Sequence, residues 1–335
     1  MAMALGFTMS CCSSLPHAEM KAVSPATMKL LEQRSQKLDD LGIREDGGAL
    51  VCRANWSAEG PVTVPLLWQH NLPHVTALVN GHPVRLIVDT GSQGCVLEAE
   101  TALRCCVTTV RATERKFTLS GISGAESALL GVPDHVEIGD WKWSRLPCLV
   151  RTGKSEMVGP WPLDRRPFAI NILGMNAMRH MCSYLTLDYP RGRVVFGLKE
   201  DFTPRTGPMV WSVPLDFRDG LPYVKISDGQ AEWWALVDTG ASTMAEMNSD
   251  MAARLGFQKN ASLSNTARIG VGAPGKNDNQ RLHQVRVREL LKLGPRLLNV
   301  DMLIVPDRPK IGAILRPFRV TLDFKRSLLW LEDPR

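Results

Sequence analysis

The sequence predicts an all-β protein of two pseudo-symmetric lobes with few, short helices. Three observations predict it: an internal repeat at a constant offset of 149 residues, strand-like runs joined by tight turns inside each copy, and a scarcity of long helical segments. A length of 335 residues agrees, since domains of roughly 100–200 residues make about two from such a chain.

The repeat organises everything else. Val64 to Gly91 (VPLLWQHNLPHVTALVNGHPVRLIVDTG) aligns without gaps on Val213 to Gly240 (VPLDFRDGLPYVKISDGQAEWWALVDTG), with ten of 28 positions identical. Gly121-Ile122 then matches Gly270-Val271, each pair 32 residues after an Asp-Thr-Gly aspartate. A hydrophobic-Gly element recurs at Ile172-Leu173-Gly174 and Lys310-Ile311-Gly312, followed by Thr186-Leu187-Asp188-Tyr189 and Thr321-Leu322-Asp323-Phe324. The expected organisation is a tail or leader over residues 1–59, a first lobe over 60–199 and a second over 209–335.

Taken in chain order, the first expected element is a helix from Pro25 to Leu41, with Ser24 as N-cap, Pro at the first helical position and Gly42 as stop. Val75–Val79 and Val84–Val88 are apolar, β-branched runs around Asn80-Gly81, a type I′ hairpin signal because both turn residues tolerate positive φ. Val224–Ile226 and Trp233–Val237 flank Asp228-Gly229 in the same manner. Short helical stretches follow each Asp-Thr-Gly, at Glu98–Arg104 and Met247–Leu255. Asp188 and Asp323 read as strand-to-turn positions, and Trp233-Trp234 as packing residues. The first copy is longer, 99 residues from Asp89 to Asp188 against 85 from Asp238 to Asp323, and Arg151–Phe168, rich in Gly, Pro and charge, reads as a solvated loop holding much of the excess.

Composition excludes several classes. With 44% hydrophobic and 22% charged residues the chain will bury a core. The net charge of +6 is spread over both halves without a basic, aromatic-interleaved stripe, so no nucleic-acid partner is expected. No apolar run is long enough for a transmembrane span. The eight cysteines lie within the first 182 residues without zinc-type spacing, so neither metal nor cofactor is expected. The first twenty residues are small and apolar but lack the basic start of a signal peptide. Ser10-Cys11 resembles a bacterial lipoprotein acylation site, with Thr8 where such sites usually carry Leu, which favours a periplasmic or lipid-anchored protein over a cytoplasmic one.

The chemistry concentrates in two loops, Asp89-Thr90-Gly91-Ser92 and Asp238-Thr239-Gly240-Ala241, each ending a hydrophobic strand. One Asp-Thr-Gly is a common turn; two at equivalent places in a duplicated β unit are a specific signal. Amide hydrolysis without a metal or nucleophilic side chain needs a base to activate water and an acid to protonate the carbonyl oxygen or the leaving nitrogen. Two carboxylates about 3 Å apart supply both, because like-charge repulsion keeps one protonated. A pseudo-two-fold axis brings one Asp from each lobe. Gly91 and Gly240 allow the loops to approach, and Thr90 and Thr239 are placed to hydrogen-bond across them. The Ser92 hydroxyl is expected beside a carboxylate, lowering the pair's first pKa and giving a working pH between strongly acid and neutral.

LIVDTGSQGCV and ALVDTGASTMA, each with its downstream Ile-Leu-Gly or Lys-Ile-Gly element and closing strand, resemble the retropepsin-like and pepsin-like aspartic peptidases over nearly all of residues 60–335. In style they are more similar to the bacterial retropepsin-like aspartyl proteases, here duplicated and fused. The resemblance implies the bilobal acid-protease fold, an aspartic endopeptidase with Asp89 and Asp238 as catalytic pair, and supporting positions at Thr90, Gly91, Ser92, Thr239, Gly240 and Ala241. It also implies flap hairpins over an extended polypeptide substrate. Gly121, Ile122 and Gly124 are the candidates in the first copy, and Gly270, Val271 and Gly272 in the second. The expected active form is a monomer acting as an internal pseudo-dimer. The alternatives are a non-catalytic peptide-binding module on the same fold, and pairing of the repeats between separate chains. The pattern departs from the pepsin-like one in its tyrosines: Tyr184, Tyr189 and Tyr223 all lie outside both flap segments.

Overall fold

A computed structural model describes residues 3–5, 23–46, 49–52, 54–111, 117–121, 124–153, 156–158, 166–256, 262–264, 284–305 and 308–333. Its architecture is mostly β and repeats one strand arrangement twice. In the first half Leu72–Val79 and His82–Val88 form an antiparallel hairpin through Asn80-Gly81, both at positive φ (48° and 79°) as a type I′ turn requires. His82–Val88 also runs parallel to Ile172–Leu173, which lies antiparallel to Val96–Glu98. The second half does the same: Leu221–Ser227 pairs Glu232–Val237, which runs parallel to Lys310–Ile311, itself antiparallel to Ala245–Asn248. Each Asp-Thr-Gly therefore leaves the end of a strand clamped on both sides, which fixes where its aspartate points.

The Lys-Ile-Gly and Ile-Leu-Gly elements owe their glycines to this crossing. A Cβ on Gly174 would lie 2.2 Å from the Gly94 carbonyl oxygen, and one on Gly312 2.7 Å from the Ala241 Cβ.

The lobes are joined by a six-stranded sheet whose order is Val210–Pro214, Leu328–Glu332, Arg319–Asp323, Tyr184–Asp188, Arg193–Gly197, Val62–Pro65. Three strands come from each half, and the two closing strands lie antiparallel at the centre with Thr186 opposite Thr321. The two threonine hydroxyls, fully buried, are 2.7 Å apart. This pair of equivalent residues marks the pseudo-two-fold axis, and such cross-strand threonine bonds add to sheet stability.

Helices are short: α1 Pro25–Gln33, α2 Ala99–Arg104, α3 Met175–Met181 and α4 Ser249–Arg254. The first has the expected cap, with the Ser24 hydroxyl accepting from the Thr27 N–H at 3.1 Å, but it ends at Gln33 rather than Leu41. Ser35–Gln36 are drawn into a parallel pairing with Thr109–Val110, and Gly42 instead closes a separate turn at Asp39–Leu41. The segment also docks through Arg34 on the Leu103 carbonyl and Thr109 on the Leu31 carbonyl, so residues 23–36 pack into the first lobe.

A second difference is the Asp228-Gly229 turn. It is a four-residue loop, because the Asp228 carboxylate accepts from the Gln230 and Ala231 N–H groups at 2.9 and 2.8 Å and holds the strands further apart than a two-residue turn would. Within Arg151–Phe168, Glu156–Val158 and Arg166–Phe168 pair as a small antiparallel ribbon. Six cysteines fall among the described residues, and all six are free thiols. No helix of the described residues is long and apolar enough to cross a membrane.

Candidate active site

The two Asp-Thr-Gly loops meet on the pseudo-two-fold axis. Thr90 donates its hydroxyl to the Val237 carbonyl at 2.6 Å, and Thr239 donates to the Val88 carbonyl at 2.7 Å. Each hydroxyl also accepts the other threonine's backbone N–H, both at 3.1 Å. Both threonines are buried, so these four bonds lock one loop to the other in a water-free setting.

The glycines set the approach distance. A Cβ built on Gly91 would fall 2.6 Å from the Asp238 Cγ, and one on Gly240 2.6 Å from the Asp89 Cγ. Only hydrogen in those positions lets each loop lie against the opposite carboxyl. The Gly91 N–H donates to Asp89 Oδ1 at 2.8 Å. Asp238 is buried and Asp89 half-buried. Desolvation, then the negative charge of Asp238, push the Asp89 carboxyl well above the ordinary carboxylate range, with the Gly91 N–H and the more distant Lys310 pulling it partly back.

Ser92 differs from expectation. Its hydroxyl donates to the Gly94 carbonyl at 2.9 Å, closing its own turn rather than reaching a carboxylate, so the predicted lowering of the pair's first pKa by this group does not follow. Ala241 is buried behind its loop, its carbonyl accepting from Arg316 at 3.2 Å. Of the flap candidates, Gly121 and Gly124 lie opposite each other at the tip of the hairpin Phe117–Gly121 and Gly124–Val132. Ile122, Gly270, Val271 and Gly272 lie outside the described residues. Asp188 and Asp323 are turn residues, accepting from the backbone N–H of Arg191 and Arg326 at 3.3 and 3.1 Å. Trp233 is buried in the core, while Trp234 is half-buried under Arg218 and Lys225.

Three further side chains border the pair, none of them expected there from the motifs. Lys310 places its ammonium 3.4 Å from Asp238 Oδ2 and 3.3 Å from Glu246 Oε2. Tyr189 lies close enough to Asp238 for that charge to add to the burial that pushes its phenol up. Arg316 spans the loops, donating to the Asn71 side-chain and backbone oxygens at 2.7 and 2.8 Å. Lys310 had a signal: a cation standing where the first copy has Ile172 in an otherwise apolar strand. Arg316 had none, because its partner lies 245 residues away. Among the described residues no group of His, Cys, Asp and Glu is placed to hold a metal ion.

Comparison with known proteins agrees with this geometry. Residues 75–180 match the family model described as "gag-polyprotein putative aspartyl protease", and residues 223–316 match that described as "Aspartyl protease". The structure is similar to the crystal structure of the aspartic proteinase from Irpex lacteus, with a TM-score of 0.54 at 15% identity, covering 82% of this chain and 97% of that one. No curated protein matches the sequence significantly. Two aspartyl-protease family domains in tandem, on a bilobal fold like that of the Irpex lacteus proteinase, define the class. The chain belongs to the aspartyl protease families matched by its two halves, as a duplicated, single-chain form.

Proposed function

We propose that the protein is an aspartic endopeptidase that cleaves peptide bonds with a water activated between Asp89 and Asp238. The observation that carries this reading is the reciprocal loop contact, with each glycine against the opposite aspartate and each threonine bonded across the axis. With one proton on the pair, the ionised carboxylate takes a proton from the water as its oxygen attacks the scissile carbonyl, and the protonated one donates to the carbonyl oxygen. Collapse of the tetrahedral diol transfers a proton to the leaving nitrogen and restores the pair. No group outside the two loops is required for the proton balance. A single chain supplies both aspartates, so the active form is a monomer acting as an internal pseudo-dimer on an extended polypeptide.

Asp89→Asn and Asp238→Asn should each lower peptide hydrolysis by at least the ~10²–10⁴-fold that general acid–base groups contribute, with circular dichroism unchanged. Turnover by either folded variant at the wild-type rate refutes the dyad. A wild-type protein that binds a transition-state mimic but leaves a diverse peptide library uncut would be a peptide-binding module instead.

A further inference from the structure

We propose that Lys310 is a positioning residue that makes the two carboxyls unequal, holding the negative charge on Asp238 so that the shared proton resides on Asp89. The inference rests on the endopeptidase reading for its catalytic consequence, though the charge distribution itself is a property of the resting site.

The geometry is asymmetric where the fold is symmetric. Lys310 sits in the strand that runs parallel to the Asp238 strand, opposite Leu236. Its side chain is 3% exposed and lies between Asp238 Oδ2 and Glu246 Oε2, at 3.4 and 3.3 Å. Glu246 is itself buried, and its other oxygen accepts from the Thr243 hydroxyl at 2.8 Å. In the first lobe the strand position equivalent to Lys310 is Ile172, opposite Ile87, and the residue 149 positions before Glu246 is Leu97. Both are buried and apolar. Among the described residues no cation forms an ion pair with Asp89.

Among the described residues, the charged and titratable groups around Asp238 are Asp89 across the axis, Lys310 and behind it Glu246, Tyr189 from the first lobe, and Arg316, which is engaged with Asn71 and the Ala241 carbonyl. Of these, Lys310 alone is a cation in direct contact with a carboxylate of the pair. Coulombic attraction falls with distance and is strongest in a dry site, so the ammonium favours ionisation of the nearer carboxylate, Asp238, over that of Asp89. The raised proton affinity of Asp89 fits the same picture. During catalysis Asp238 then accepts the proton of the attacking water while Asp89 gives its proton to the substrate carbonyl oxygen. When the C–N bond breaks, the nitrogen takes the proton from Asp238 and the diol returns one to Asp89.

The test compares wild type with Lys310→Met and with the double variant Lys310→Ile/Glu246→Leu, which installs the first lobe's apolar pair and removes the Lys310–Glu246 ion pair as a unit. Two readouts are taken on each: the pH dependence of kcat/KM, and the titration of the two carboxyls by NMR on protein carrying ¹³C-labelled aspartate, assigned with Asp89→Asn. Because a cation lowers the pKa of a neighbouring carboxyl, its removal should move both limbs of the profile to higher pH, by about 1–3 units for an opposite charge within ~4–6 Å. In wild type Asp238 should ionise at lower pH than Asp89. A folded double variant with an unmoved profile and unmoved titrations overturns the proposal, as does a wild type in which Asp89 ionises first. If neither variant folds, that wild-type order decides. If the wild type proves unable to cut peptides, the endopeptidase reading fails by itself, while the carboxyl titrations still decide the role of Lys310.

Discussion

At Asp89 the fold holds a carboxyl in surroundings that favour its neutral form, and this has a thermodynamic signature. An unfolded aspartate loses its proton near pH ~3.9, whereas the folded Asp89 retains it to higher pH. Between those values the native state binds more protons than the unfolded one, so stability falls as pH rises and the penalty is complete above the folded pKa. Asp89→Asn removes the titrating group. Its thermal midpoint should match wild type below pH ~3.9 and exceed it increasingly towards neutral pH; midpoints measured across pH 3–8 decide, and equal midpoints throughout would show that the carboxyl is not destabilised by burial. Gly91→Ala acts in the opposite direction, because its methyl would meet the Asp238 carboxyl at 2.6 Å. Overpacking of this kind costs about 1–3 kcal/mol, read as a lower denaturant midpoint together with lost hydrolysis. Both aspartates, both glycines and both threonines were legible in the sequence because the chemistry itself demands them twice. The Ser92 bond to Gly94 was not, since the choice between a local carbonyl and a nearby carboxylate is made by the side-chain rotamer, which the residue types do not specify.

Turns and short helices show how pairing with distant strands overrides local preference. The helix signal after Ser24 was sound at its start, where cap and proline act within one turn, and failed at its end, where Ser35–Gln36 join Thr109–Val110. The hairpin signal held for Asn80-Gly81 and loosened at Asp228-Gly229, where a carboxylate competes for backbone donors. A pair of interlobe clamps was invisible for the same reason. Trp68 stacks on Tyr189 in one half and Phe217 lies edge-on to Phe324 in the other, equivalent pairs in the repeat. Each pair is covered by an arginine from the opposite half: Arg316 lies 4.9 Å from the Trp68 ring and Arg179 4.2 Å from that of Phe217. Arg316 adds its hydrogen bonds to Asn71 and Ala241. Arg316→Ala should therefore cost about 1–3 kcal/mol, against ~0.5–2 for Arg179→Ala, where the ring contact dominates. Chemical denaturation of both variants tests the order, and a larger loss at Arg179 would contradict it.

The whole molecule is held together along its axis by the six-stranded sheet, to which each half contributes three strands. The duplication and the β character of both halves were readable from the repeat. The way its two central strands meet was not, because Thr186 and Thr321 are identical in type and nothing in either segment says which partner it faces. A chain that carries both halves of its site should run at its own mass of 37.1 kDa in sedimentation, with specific activity independent of protein concentration. Activity that falls on dilution would mean that the halves pair between chains. The hydroxyl pair at the axis carries a further consequence. In an assembly of two identical chains every substitution is made twice, so a cation admitted beside one carboxylate would also stand beside the other. Joining the halves into one polypeptide frees each copy to drift separately. Isoleucine in one half and lysine in the other is a combination that two identical chains cannot carry.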